Sequence, residues 1–277
     1  MTRKNPHRNR VRRIFGVFSR YTAPVVALSG GVDSSLLTVL CHEYYGDSFL
    51  AVTAVSPAFP DWDRDAVTEL VKRFSIKHIF IETGEFQDSR YLQNEEDRCY
   101  WCRYHLFASL RGMLLSNPRF DCVFFGAQRD DLADDRPGHR AASEFGVIAP
   151  FIEAEWSRKD IIAEARARDF SWADTPPSPC LASRLVTGIR VSPERLKRIE
   201  EAEIYLRARG YQVVRVRDRG DAARVEVGRE DLHRLNNNER AEIISRLQSL
   251  GFSNVEFSPE GYRRGGAARL FPASILK

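Results

Sequence analysis

The 277-residue sequence contains no apolar run approaching the roughly 20 residues a membrane span needs, which excludes an integral helical membrane protein. The N-terminus lacks the apolar stretch of a secretory signal, so a cytoplasmic protein is expected. Internal repeats and low-complexity tracts are absent too. Acidic residues are missing from the first twenty positions, which carry Arg3, Lys4, Arg8, Arg10, Arg12, Arg13 and Arg20. The net charge of +4 is therefore local, because the remainder holds 35 basic against 38 acidic residues. A slightly acidic body argues against a broad nucleic-acid-binding face. An acid-free, Arg-rich start can be an organelle transit peptide. The spacing of Val11, Ile14, Phe15 and Phe18 favours instead a short helix docking one face on the domain.

What is present is an ordinary globular balance, 43% hydrophobic and 29% charged, which excludes wholesale disorder. The first half alternates apolar strands with helical patterns. Strands are expected over Val25–Leu28, Phe49–Val55, His78–Ile81 and Cys122–Phe125, with helices over Ser34–Tyr45, around Val67 to Phe74, and around Leu106 to Leu114. Continuous apolar strands with helical crossovers indicate a parallel sheet covered on both faces. Asp174 to Pro179 then interrupts regular structure and marks a boundary. Beyond it Ser192 and Pro193 start a helix that stops at Gly210. Strands over Gln212–Val216 and Arg224–Val227, a helix around Ile243 to Leu247, and a strand near Val255 follow, giving a smaller α+β domain.

Ser29-Gly30-Gly31-Val32-Asp33-Ser34-Ser35 joins the first strand to the first helix. Glycines let the backbone approach an anion, and free N–H groups of the turn and helix start point at it. Ser29, Ser34 and Ser35 add hydroxyl donors, while Asp33 would orient the loop or hold Mg²⁺ between phosphate oxygens. No Lys follows the glycines, so this is not a Walker A loop. In its strand–loop–helix setting the string resembles the PP-loop of ATP pyrophosphatases. That resemblance implies cleavage of ATP between the α and β phosphates and a sheet of the adenine-nucleotide α-hydrolase type, with adenine near Val52 to Ser56.

Five cysteines, unevenly spaced and without a signal, do not suggest a disulfide framework. Cys41 and Cys122 fall in apolar patterns and read as small core residues. Cys99 and Cys102, in Arg98-Cys99-Tyr100-Trp101-Cys102, place two sulfurs toward one ligand, as zinc and iron–sulfur sites do. Cys180 follows the proline-rich break. Three cysteines are one short of a Cys₄ zinc site, and no nearby His stands out. A cluster with one open iron is the other arrangement this set allows.

Several stretches together resemble the ATP-dependent sulfur transferases of the LarE type, which build the nickel-pincer nucleotide cofactor of lactate racemase. They are the PP-loop, Ala51 to Pro60, Arg98 to Cys102, Gly126 to Gly138, Cys180 to Arg184, Arg215 to Val227, and Glu260 to Arg263. Family members adenylate a carboxylate of a pyridinium mononucleotide and convert it to a thiocarboxylate. Two positions depart from the pattern. Arg103 stands where Lys is usual, and Val55 stands where an acid is usual. As a fork, Arg103 could still contact phosphate.

After a basic N-terminal arm (1–21) that is individual to this sequence, a PP-loop domain is expected over 22–175, then a linker carrying Cys180 (176–190) and a substrate and sulfur-transfer domain (191–277). ATP and Mg²⁺ would occupy the loop, with Asp131 nearby. Asp130, Asp131 and Asp134 lie past the end of a strand, where ligands of open α/β sheets bind. Arg215 and Arg217 share one strand face by period two and could bind a substrate phosphate. Glu203 and Glu226 are candidate metal ligands. In three-cysteine relatives a [4Fe-4S] cluster on the cysteines carries a sulfide on its free iron, which assigns Cys99, Cys102 and Cys180 as ligands. In others the cysteine equivalent to Cys180 gives up its own sulfur. A ring-like homo-oligomer is also implied. The competing readings are a PP-loop amidotransferase-type synthetase of the NAD or GMP synthetase kind, which needs no three cysteines, and a tRNA-thiolating enzyme, which should be more basic.

Overall fold

The computed structural model describes residues 6–133, 137–175 and 178–263. Asp134, Pro176 and Pro177 lie outside the described residues. The chain divides into two compact units, one formed by residues 1–85 and 99–178, the other by 86–98 and 179–277. No helix among the described residues is long and apolar enough to cross a membrane.

The first unit is an α/β layer structure. Strands β1 (Pro24–Ala27), β2 (Leu50–Val55), β3 (His78–Glu82) and β4 (Cys122–Phe124) form a sheet of order β3-β2-β1-β4. Every pairing is parallel, with Val26 opposite Ala51 on one side and Phe124 on the other. Because side chains alternate along a strand, Val26, Ala51 and Phe124 join one core cluster while Val25, Val52 and Val123 join a second. The first cluster is covered by α1 (Pro6–Phe18), α2 (Val32–Tyr45) and α3 (Asp61–Arg73). The second is covered by the long helix that reaches β4. β1 and β4 are covered on both faces, as continuous apolar strands require, whereas β3, at the sheet edge, departs from that expectation and leaves Ile79 and Phe80 exposed.

Helix α1 docks as its spacing predicts, with Ile14, Val17 and Phe18 buried. The basic residues of the N-terminal segment are partly paired within this unit. Arg10 pairs with Asp160 at 2.7 Å, Arg13 with Glu155 at 3.0 Å, and Arg20 with Glu153. Cys41 and Cys122 are buried in the core.

Helix α4 (Ser89–Leu92) belongs to the second unit, and α5 (Arg98–Ser116) returns the chain to the first. There α6 (Pro137–Glu144), α7 (Pro150–Glu153) and α8 (Arg158–Ala167) follow. The second unit resumes with α9 (Pro193–Ala208), capped by the Ser192 side chain with Pro193 at its first position. Strands β5 (Val214–Asp218), β6 (Ala222–Val227) and β7 (Asn254–Phe257) form a mixed sheet, β5/β6 antiparallel and β6/β7 parallel, with α10 (Asn237–Ser249) between β6 and β7. β5 starts two residues later than its sequence suggests, because its register is fixed by β6, with Val214 opposite Val227 and Asp218 opposite Ala223. All five β5 residues are buried, so its polar face is not a solvated one.

Candidate active site

β1 ends at the glycine loop, and α2 begins at Val32 with Gly31 as its N-cap in extended conformation. Gly30 adopts φ +77°, and a Cβ there would come within 2.9 Å of the Asp63 carbonyl oxygen. Only glycine fits. The serines organise the turn. Ser34 Oγ donates to Gly31 O at 3.1 Å, accepts from Ser29 N at 3.1 Å, and lies 3.0 Å from Ser29 Oγ. The N–H groups of Val32, Asp33 and Ser34 open the helix and have no acceptor within it, which gives this end the donors and the dipole an anion would need. The chain order turns at β1, with β2 on one side and β4 on the other, and ligands of open sheets bind at such switch points.

The segment after β4 closes in on this end. A Cβ on Gly126 would lie 2.9 Å from Ser34 N and 3.1 Å from Asp33 C, so a side chain here would push on the helix start. Further on, Asp131 accepts from Gln128 N at 3.2 Å and Asp130 accepts from Arg158 N at 3.0 Å. Arg158, the first residue of α8, reaches back to Asp33 with Nη1 2.5 Å from Oδ1. Burial pushes the Asp33 carboxyl above the usual carboxylate range despite that guanidinium, and Asp131 adds to the rise. Asp33 is thus an acid held near a second acid by one arginine, a set that a divalent cation could join. A cleft of about 240 Å³ flanks the loop on the α3 side, with Gly30, Ser35 and Arg73 in its wall. It is smaller than the usual range for small-molecule pockets.

Helix α5 brings in Cys99, Cys102 and Arg103. The two cysteines are three apart on its first turn and share a face. Neither is in a disulfide; Cys99 is exposed and Cys102 half-buried. The guanidinium of Arg103 lies 5.8 Å from the Phe125 ring centre, and its buried Nη1 has no hydrogen-bond partner among the described residues. Gly138 makes room for it, since a Cβ there would meet Arg103 Cδ at 2.6 Å.

In the second unit Cys180 is a free, half-buried thiol at the start of a short turn over Leu181–Arg184. Arg184 and Glu203 form a fully buried bidentate pair, both bonds at 2.9 Å, and Glu203 also accepts from Val216 N at 3.0 Å. Arg217 binds Glu226 at 3.2 Å. Arg215 donates to Val214 O at 2.6 Å and lies 5.0 Å from the Tyr262 ring centre. Burial, with Arg184 nearby, pulls its guanidinium down to about 10. Both strand arginines are buried, and both glutamates are engaged by guanidinium groups. Among the described residues no three His, Cys, Asp or Glu side chains are grouped so as to hold a metal ion.

Residues 18–113 match the NAD synthase family. An uncharacterized protein of Synechocystis sp. is 33% identical over 261 residues, 94% of this chain and 96% of its own. One of Methanocaldococcus jannaschii is 31% identical over 239 residues, 86% of this chain and 90% of its own. The pyridinium-3,5-bisthiocarboxylic acid mononucleotide synthase of Lactiplantibacillus plantarum is 29% identical over 242 residues, 87% of each chain. The chain is a PP-loop protein of one family with the Synechocystis and Methanocaldococcus proteins, and it is similar to the LarE-type synthase of Lactiplantibacillus plantarum.

In this PP-loop protein the glycine loop, Asp33 and Asp131 fall together at the sheet's switch point. The sequence reading did not include Arg158. Ser157 to Asp160 does carry a capping-box signature, and the box forms, but the local pattern gives no sign of a partner 125 residues away. Gly126 opens a stretch that carries the resemblance, but a single glycine after a strand has several readings and its sequence gives no sign of the close approach to α2. The LarE-type pattern drew Arg215 and Arg217 as a phosphate pair, and the fold shows how deeply both are packed.

Proposed function

We propose that this chain is a LarE-type, ATP-dependent sulfur transferase that adenylates a carboxylate of a pyridinium mononucleotide and converts it to a thiocarboxylate. The first unit performs activation and the second supplies the transfer surface. The observation that carries the reading is a free, reachable Cys180 in a chain that also holds a PP-loop with Asp33 at its helix start. A carboxylate resists nucleophiles because of its charge. Its oxygen attacks the α-phosphorus of ATP, pyrophosphate leaves, and the charge is exchanged for a good leaving group. The N–H groups at the start of α2 stabilise the negative charge that builds during this step, and Asp33 would hold a Mg²⁺ whose charge would supply further electrostatic stabilisation. Sulfur then attacks the acyl carbon and AMP departs.

For the sulfur source we favour a [4Fe-4S] cluster on Cys99, Cys102 and Cys180. The thiols fit the group in kind, being unbridged and reachable where Cys41 and Cys122 are buried. When bound, such a cluster would supply sulfur at the oxidation level of sulfide. A reducing, cytoplasmic setting keeps such thiols available. The second reading has Cys180 surrender its own sulfur, and the fixed, half-buried setting of that thiol favours it.

Two measurements test this. Asp33→Ala should abolish ATP-dependent pyrophosphate release with the fold intact, and undiminished release refutes the nucleotide role. Iron and labile sulfide in anaerobically purified protein, read with intact mass after turnover, decide the source. Absence of iron, with Cys180 lighter by about 34 Da as it becomes dehydroalanine, refutes the cluster in favour of Cys180.

A further inference from the structure

Four main-chain carbonyls on either side of the Cys180 thiol accept hydrogen bonds from guanidinium groups. Arg184 Nη1 donates to Pro179 O, and to Cys180 O at 3.1 Å. Arg217 Nη1 donates to Ser183 O at 3.1 Å. The remaining carbonyl, Ala182 O, accepts from Arg98 Nη1 at 3.0 Å. Each arginine is anchored behind the loop: Arg184 on Glu203, Arg217 on Glu226, and Arg98 on Asn94 Oδ1.

Asn94 is built for that role. It is 1% exposed and left-handed at φ 59°. Its Nδ2 donates to Val186 O at 2.8 Å and Ile189 O at 2.9 Å, and its carbonyl accepts from Gly188 N at 3.1 Å. The short segment before the cysteine pair is therefore sewn into the loop that follows the third cysteine. A segment just after a proline-rich break would otherwise be among the most mobile of the chain. Charge-assisted bonds to four of the five carbonyls over residues 179–183 fix its backbone.

We propose that Arg98 is a positioning residue for Cys180, holding residues 180–183 in the one conformation that presents the thiol for sulfur transfer. The purpose of the clamp rests on the sulfur-transfer reading, but its existence is tested without turnover. In reduced, metal-free full-length protein, Arg98→Ala should raise iodoacetamide labelling of Cys180 by roughly fivefold, since access limits a held thiol. Amide exchange over 181–186 should quicken by about tenfold while β5 and β6 keep their protection. Arg98→Lys, which can still reach Ala182 O, should recover most of both. Labelling and exchange within twofold of the wild type in Arg98→Ala would overturn the clamp.

The positioning role is read from half-reactions. Sulfur transfer should fall by at least about tenfold in Arg98→Ala while pyrophosphate release holds, with recovery in Arg98→Lys. Loosened labelling with transfer at the wild-type rate would overturn the positioning role. A wild-type chain that transfers no sulfur would instead count against the proposed function, and labelling and exchange would still decide the clamp.

Discussion

Replacing Gly126 by alanine adds a single methyl group, and its consequence can be worked from the contacts it would make. The new Cβ would lie 2.9 Å from Ser34 N, and 3.1 Å from both Asp33 C and Ser34 Cα. All three are backbone atoms at the start of α2, so no side chain can swing aside. Ordinary contact distances require a separation of about half an ångström more, taken up either by the α2 start or by the segment after β4. Overpacking of this kind costs about 1–3 kcal/mol. The displaced atoms include an N–H assigned to the anion, and catalytic geometry tolerates only about 0.5 Å. We expect a lower urea midpoint at unchanged slope and a roughly 10- to 100-fold slower pyrophosphate release. Gly112→Ala is the control, since its Cβ meets nothing within 4 Å in the middle of α5. It should stabilise by up to about 1 kcal/mol. A Gly126→Ala protein with wild-type midpoint and release rate would refute the assignment of this helix end to the phosphates.

Three further outcomes are expected. Asp33 must be ionised to hold Mg²⁺, and burial raises its carboxyl, so the acid limb of pyrophosphate release should lie above the ordinary aspartate range; Arg158→Ala should move the limb higher in a pH–rate profile. The sign for stability is opposite, because the folded chain holds this proton more firmly: the contribution favours folding below the unfolded value and is lost as pH rises through the folded one. Glu203→Ala should cost about 3–5 kcal/mol in a denaturation series, because it leaves Arg184 buried and uncompensated, whereas joint replacement of Arg184 by Met and Glu203 by Leu should restore most of the loss. His78, desolvated to about 4 with Nε2 2.8 Å from Thr53 Oγ1, should lend stability above its unfolded value that disappears as pH falls through about 4, and His78→Gln should flatten that limb of a thermal-melt series.

The sequence by itself determined those features whose cause is local. Strand and helix periodicity placed the four parallel strands and the crossovers, because side-chain alternation and burial on both faces write themselves into runs such as Val25 to Leu28. The phosphate loop was legible for the same reason: a helix start, a left-handed glycine and a serine turn are properties of seven consecutive residues. Ser192 and Pro193 announced α9, and the spacing of Ile14 and Phe18 announced the docking of α1. Only the tertiary structure decided which charges meet. Arg158 reaching Asp33, Arg217 reaching Ser183, and Arg98 reaching Ala182 are pairings across 125, 34 and 84 residues, with no periodic signal to carry them. Period two could place Arg215 and Arg217 on one strand face, but whether that face meets water or protein depends on what folds over it. In β5 both faces are covered, so residues with the pattern of a solvated edge became part of the scaffold around Cys180.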